Sequence, residues 1–97
     1  MNYEKNTYDI LLDKVEKINE QNYQSIYDNI EERIIDAMCK NKKYIKINNY
    51  TNEYKEYNIS YHLNDTINFI QDKLGKEFNV STFDSIFATE YLEITWK

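Results

Sequence analysis

The sequence predicts a single α+β domain spanning residues 1–97: an N-terminal helix, bent or broken near residues 19–22, a β-hairpin, a second helix and a second β-hairpin. The antiparallel sheet should carry its helices on one face. Three observations lead there. Apolar residues recur at helical spacing in two stretches, strict alternation marks several others, and no Pro/Ser/Gly linker or internal repeat divides the chain. A domain of this length buries somewhat over about 60% of its unfolded surface. With 41% apolar residues, among them ten Tyr, four Phe and one Trp, it has the material for a core.

Taken in order, Tyr8, Leu11, Leu12, Val15 and Ile18 form one helical stripe, with Asn6 or Thr7 placed to cap its start. Asn19-Glu20-Gln21-Asn22 interrupts the stripe, which resumes on a shifted phase as Tyr23, Ile26, Tyr27, Ile30, Ile34 and Met38. Without Gly or Pro at the interruption, the chain should bend or turn tightly there. Asn41-Lys42-Lys43 closes the helical pattern. Ile45 and Ile47 then alternate with Tyr44, Lys46 and Asn48, and Tyr57, Ile59 and Tyr61 alternate with Asn58, Ser60 and His62. These two runs read as a hairpin. Leu63, Ile67, Ile70 and Leu74 share a helical face, with Asn64 as the expected cap and Gly75 just past the end. Phe78 and Val80 open the last alternation, and Leu92, Ile94 and Trp96 close it against outward Tyr91, Glu93 and Thr95, which reads as a second hairpin.

The composition is skewed toward thirteen Asn, thirteen Ile and eleven Lys, with one Arg, one Gly and no Pro. These preferences follow A/T-rich codons, so part of the composition reports a genome and not a task. A net charge of −5 disfavours unaided binding to duplex nucleic acid, whose affinity comes largely from Lys and Arg on phosphate. Cys39 stands alone, which excludes an intrachain disulfide and fits a reducing compartment. No basic start followed by an apolar run opens the sequence, and no run has the roughly eighteen apolar residues of a membrane span. The expected location is cytoplasmic, in a host cell if the chain is phage-encoded. The Asn-X-Ser/Thr triplets at Asn49, Asn58, Asn64 and Asn79 are then chance products of an Asn-rich chain.

The run from Ile30 to Ala37 followed by Lys42-Lys43-Tyr44-Ile45-Lys46-Ile47 resembles the helix-to-strand step of many small α+β proteins of phages and mobile elements. The stretch from Ile67 to Leu74, then Phe78-Asn79-Val80 and the closing Leu92-Glu93-Ile94-Thr95-Trp96, is similar to their second half. The resemblance implies a fold and a genomic setting, and carries no site residues.

Three groups of residues are candidates for binding. Asp9, Asp13, Glu16 and Glu20 line one helix face at i, i+4, i+7 and i+11, and Asp28, Glu32 and Asp36 form a second column. Carboxylates about 6 Å apart approach the spacing of nucleic-acid phosphates, so Asp13, Glu16, Glu20, Asp28 and Glu32 are the expected contacts to a basic partner. A solvated face with an ordinary Asp13–Lys17 pair is the plainer reading. Lys42, Lys43, Tyr44 and Lys46 could hold a phosphate or stack a base, although lysines at a helix C-terminus are also favoured electrostatically. The tyrosines between residues 44 and 61, above all Tyr54 in the expected hairpin connection, and the uncovered strand face are the third candidate. His62, Ser60, Ser81, Ser85 and Cys39 occur without a nucleophile elbow, and one glycine cannot build a phosphate loop. No catalytic residue, metal site or cofactor is expected.

The sequence thus favours a small acidic, non-enzymatic interaction protein of phage, virus or mobile-element type. It would bind and inhibit a host protein with a basic surface, in the anti-defence or anti-CRISPR manner. Alternatives are a homo-oligomeric module sequestering a nucleotide-like ligand, or an assembly protein whose C-terminal strand pairs with another copy. A homodimer is a further expectation.

Overall fold

A computed structural model describes residues 6–57, 63–85 and 88–97. In chain order these form helix α1 (Thr7–Cys39), strand β1 (Tyr44–Asn48), a short helix α2 (Tyr50–Glu53), a 3₁₀ turn (Lys55–Tyr57), helix α3 (Leu63–Leu74) and strands β2 (Phe78–Ser85) and β3 (Ala88–Trp96). The fold is α+β, with helices packed against a three-stranded antiparallel sheet of order β1-β3-β2.

The expected interruption at Asn19–Asn22 does not occur, because α1 runs unbroken for 33 residues. At about 1.5 Å per residue that is a rod of roughly 50 Å, which accounts for most of the 61 Å long axis of the molecule. Asn6 caps its start by accepting the Asp9 N–H at 2.9 Å. Its end is closed by Asn41 at φ 58°, with the Lys42 N–H donating to the Ala37 carbonyl at 2.9 Å and the Asn41 N–H to the Met38 carbonyl at 3.0 Å. That pair of bonds is the Schellman closure, with Asn in the left-handed position usually given to Gly.

Strand alternation divides the sheet. Ile45, Ile47, Leu92 and Ile94 turn inward onto Ile26, Ile30, Ile34 and Ala37 of α1 and Ile70 of α3, and this cluster is the core. Phe78, Val80 and Trp96 pack at its edge, with the Phe78 and Trp96 rings 5.8 Å apart. The β2–β3 hairpin is as expected, with Phe78 opposite Trp96 and Val80 opposite Ile94. At its entrance Gln71 of α3 acts as a clamp. Its amide donates to the carbonyls of Gly75 (3.0 Å) and Phe78 (2.9 Å) and accepts the Val80 N–H (3.0 Å).

As far as the described residues go, the first hairpin is a correction. β1 pairs with β3, Ile45 opposite Ile94 and Ile47 opposite Leu92. Asn49 at φ 51° ends β1 and turns the chain into α2, and Tyr57 lies in the 3₁₀ turn. Residues 58–62, which include the rest of the expected second strand and His62, lie outside the described residues. The reason is the spacing of Tyr50 and Tyr54. Four residues apart, they suit one face of a helical turn, and both are buried there. Asn64 also differs from expectation: it lies inside the first turn of α3, and the preceding cap position is outside the described residues.

Candidate functional site

A cleft of about 610 Å³ lies between β1 and the C-terminal half of α1. Ala37, Ile45 and Ile47 give it an apolar floor, and Glu32, Arg33, Asp36, Lys42, Tyr44 and Lys46 stand around it. It therefore unites Glu32, expected as a partner contact, with Lys42, Tyr44 and Lys46, expected as ligand contacts. Lys43 is exposed and does not line it.

Several of the charged groups around the cleft already have partners. Arg33 donates to the Glu53 carboxylate and, through Nε, to Asn29 Oδ1 at 3.1 Å. Asp36 accepts from Lys40 Nζ at 3.0 Å, and Lys46 Nζ sits 4.0 Å from the centroid of the Tyr91 ring. Lys42 and Glu32 add one charge of each sign to the rim, so the grouping is mixed and suits a peptide-like occupant better than an anionic small ligand.

Backbone geometry adds the decisive element. The Trp96 N–H donates to the Lys43 carbonyl and the Asn49 N–H to the Glu90 carbonyl, which fixes the odd-numbered residues of β1 as those bonded to β3. By antiparallel alternation the N–H and C=O groups of Tyr44, Lys46 and Asn48 point the other way, to the sheet edge that borders the cleft. β1 has β3 as its strand partner among the described residues.

The outer sheet face, with no helix of the described residues over it, carries Tyr44, Lys46, Tyr91, Glu93 and Phe83. Phe83 and Tyr91 are directly opposite and stacked, with centroids 5.4 Å apart and rings inclined at 16°. This is the uncovered strand face expected to hold contact residues, and it continues from the cleft through Tyr44 and Lys46.

The other expected contacts are scattered. Tyr54 is a correction: it is buried, not displayed, because α2 folds it against α1, where its hydroxyl donates to Asn29 Oδ1 at 2.8 Å. Burial pushes its phenol up to about 12, with Arg33 pulling it down and Glu53 and Tyr57 adding to the rise. Glu16, Glu20, Asp28 and Glu32 are exposed, while Asp13 is half-buried and already engaged within the chain. Because α1 is one unbroken helix, the Asp9–Glu20 and Asp28–Asp36 columns lie about a third of a turn apart around it. They do not form one acidic face. Glu20 instead borders a groove of about 480 Å³ between α1 and α3, beside Tyr23, whose ring lies 5.7 Å from that of Phe69. Asp28 accepts from Gln24 Nε2 at 2.8 Å.

Among the described residues no group of His, Cys, Asp and Glu is placed to hold a metal ion, and no helix is long and apolar enough to cross a membrane. Cys39 and Ser81 are exposed, and Ser85 lies in β2. Comparison of the chain with protein-family models, curated proteins and solved structures found no match. The signal for the cleft was present in the sequence as Ile45 and Ile47 on a short strand. Its edge position was not, since that depends on a partner strand more than forty residues away.

Proposed function

We propose that this is a non-enzymatic interaction protein that takes up an extended segment of a partner protein as an added strand along β1. The observation that carries the reading is the outward backbone of Tyr44, Lys46 and Asn48 beside an apolar-floored cleft. Strand addition gains affinity from main-chain hydrogen bonds and specificity from pockets for alternate side chains. The five residues of β1 accept a segment of similar length, about 17 Å. Its side chains would lie over Ile45 and Ile47 on one face and beside Tyr44 and Lys46 on the other. The −5 charge favours the approach of a basic partner. Occupying a working segment of a host protein is a simple route to the inhibitory role expected of a small acidic phage or mobile-element protein. In the assembly-protein alternative β3 would supply a strand edge, but β3 is the central strand.

Lys46→Pro tests the reading. Proline removes the outward N–H and is tolerated on an edge strand, where that group makes no ladder bond. The expected result is a partner captured by the native protein, released by Lys46→Pro, and retained by a Glu16→Lys/Glu20→Lys variant. Retention by Lys46→Pro with loss in the Glu16/Glu20 variant would transfer the function to the acidic helix.

A further inference from the structure

We infer that two copies of this chain pair through the N-terminal arm of α1, antiparallel about a two-fold axis near Leu12. The surface is separate from the β1 cleft. The first buried residue of α1 is Ile26, so roughly 28 Å of helix precedes the core. Along it Tyr8, Leu11, Leu12, Val15 and Ile18 are 69, 53, 42, 50 and 54% exposed. At about 100° per residue these five fall within a band of roughly 120°. The sequence read this stripe as a face for the core, yet among the described residues it stays outside the core cluster. α3 approaches α1 elsewhere, along Glu20, Tyr23 and Gln24.

The stripe has the size and pattern of half a helix pair. With one aromatic and four aliphatic side chains each about half exposed or more, the stripe leaves on the order of 500 Å² of largely apolar surface, within the range for the largest patch on a monomer. Two arms together would bury about 1,000 Å², which meets the lower bound for a specific interface. Tyr8, Val15 and Asn22 recur every seven residues, with Leu11 and Ile18 between them. That is the a/d seam of a helix pair, and a polar Asn at an a position is a known means of fixing register.

Geometry selects a second copy and its direction. The stripe lies within about 60° of the face formed by Ile26, Ile30, Ile34 and Ala37, so the body of the protein closes one end of the slot beside the arm. An occupant must be a short rod that stops near Asn22. A parallel copy would drive its own α1 into that body. An antiparallel copy supplies an arm of matching length whose body lies beyond Tyr8, with Leu11 over Val15 of the other copy and Tyr8 near its Ile18. Asp9, Asp13 and Glu20 lie toward the back of the helix, so two negative chains meet without those carboxylates in the seam. Lys14 and Glu16 border the seam in water, where the repulsion of like charges is screened.

Sedimentation velocity from low to about 100 μM protein tests the pairing, since an interface at this size limit is expected to dissociate in the micromolar range. The native chain should run as a dimer, and Leu11→Glu/Val15→Glu as a monomer with unchanged circular dichroism of its sheet. A native chain that stays monomeric, or a dimer that survives the double substitution, overturns the inference. Disulfide trapping in a Cys39→Ser background reads the direction without relying on that variant. Leu12→Cys should cross-link to itself, and Tyr8→Cys should cross-link to Ile18→Cys in a mixture. Self-cross-linking of Ile18→Cys alone would overturn the antiparallel arrangement. Neither experiment touches β1, so failure here leaves strand addition standing, and the Lys46→Pro result leaves the dimer standing.

Discussion

Replacing Gln71 with Ala should unfasten the turn between α3 and β2. One side chain there makes three hydrogen bonds, to the Gly75 and Phe78 carbonyls and from the Val80 N–H, all at 2.9–3.0 Å and half-buried. A net value of about 0.5–1.5 kcal/mol per bond, taken toward the low end because water reaches this turn, gives a loss of about 2 kcal/mol. For a domain of this length that is a fall of roughly 10 °C in Tm. Urea unfolding followed by fluorescence of Trp96, the single tryptophan, reports directly on the strand pair that Gln71 anchors. Gln71→Glu separates the roles of the two amide atoms. The carboxylate can still accept the Val80 N–H but presents oxygen, not N–H, to two carbonyls, so near neutral pH it should be at least as damaging as Ala. A loss below about 0.5 kcal/mol for Gln71→Ala, the scatter of ordinary surface substitutions, would refute the clamp.

Two further outcomes follow from the packing. Tyr54 keeps its proton in the folded state up to about 12 but loses it near 10.0 when unfolded. The unfolded chain therefore binds fewer protons between those values, and stability present below pH 10 should fall as pH rises, by about 1.4 kcal/mol per unit at most. Urea unfolding at about pH 9 and about pH 11 should show the native chain losing more stability than Tyr54→Phe; equal losses would mean the buried phenol is not the cause. Gly75 has φ +85° and space for a Cβ, so Gly75→Ala should cost about 1 kcal/mol through backbone conformation alone, and Gly75→Asn less, by thermal unfolding.

Local chemistry made much of the fold legible. The Asn6 cap, the stop after Cys39, the Gly75 turn and the alternation of β2 and β3 all depend on neighbours within a few residues. What was not legible depends on distant ones. Tyr50 and Tyr54 can be read as a strand end and a hairpin connection or as one helical turn, and α2 wins because both reach the core. Ile45 and Ile47 identify a strand and its inner face, but not that the chain returns from residue 88 onward to pair with it. The cleft needed that pairing, so Lys42, Tyr44 and Lys46 could be named in advance only as a patch, without the Glu32 and Asp36 that line the same cleft. The arm shows a related limit, since periodicity reveals an apolar face and says nothing about what will cover it.

The continuity of α1 also sets how the arm moves. An isolated helix must first meet a nucleation cost, because the first turn fixes several residues for a single hydrogen bond. Here Ile26, Ile30 and Ile34 hold a completed helix at one end, and each residue toward Tyr8 needs only propagation. Opening should therefore proceed as fraying from Asn6 inward. Amide exchange along α1 should form a gradient, slow at Ile34 and quickening turn by turn toward Leu11. A molecule that covers the arm meets a helix already wound and needs only to suppress that fraying, so its binding should flatten the gradient and leave exchange in the sheet unchanged.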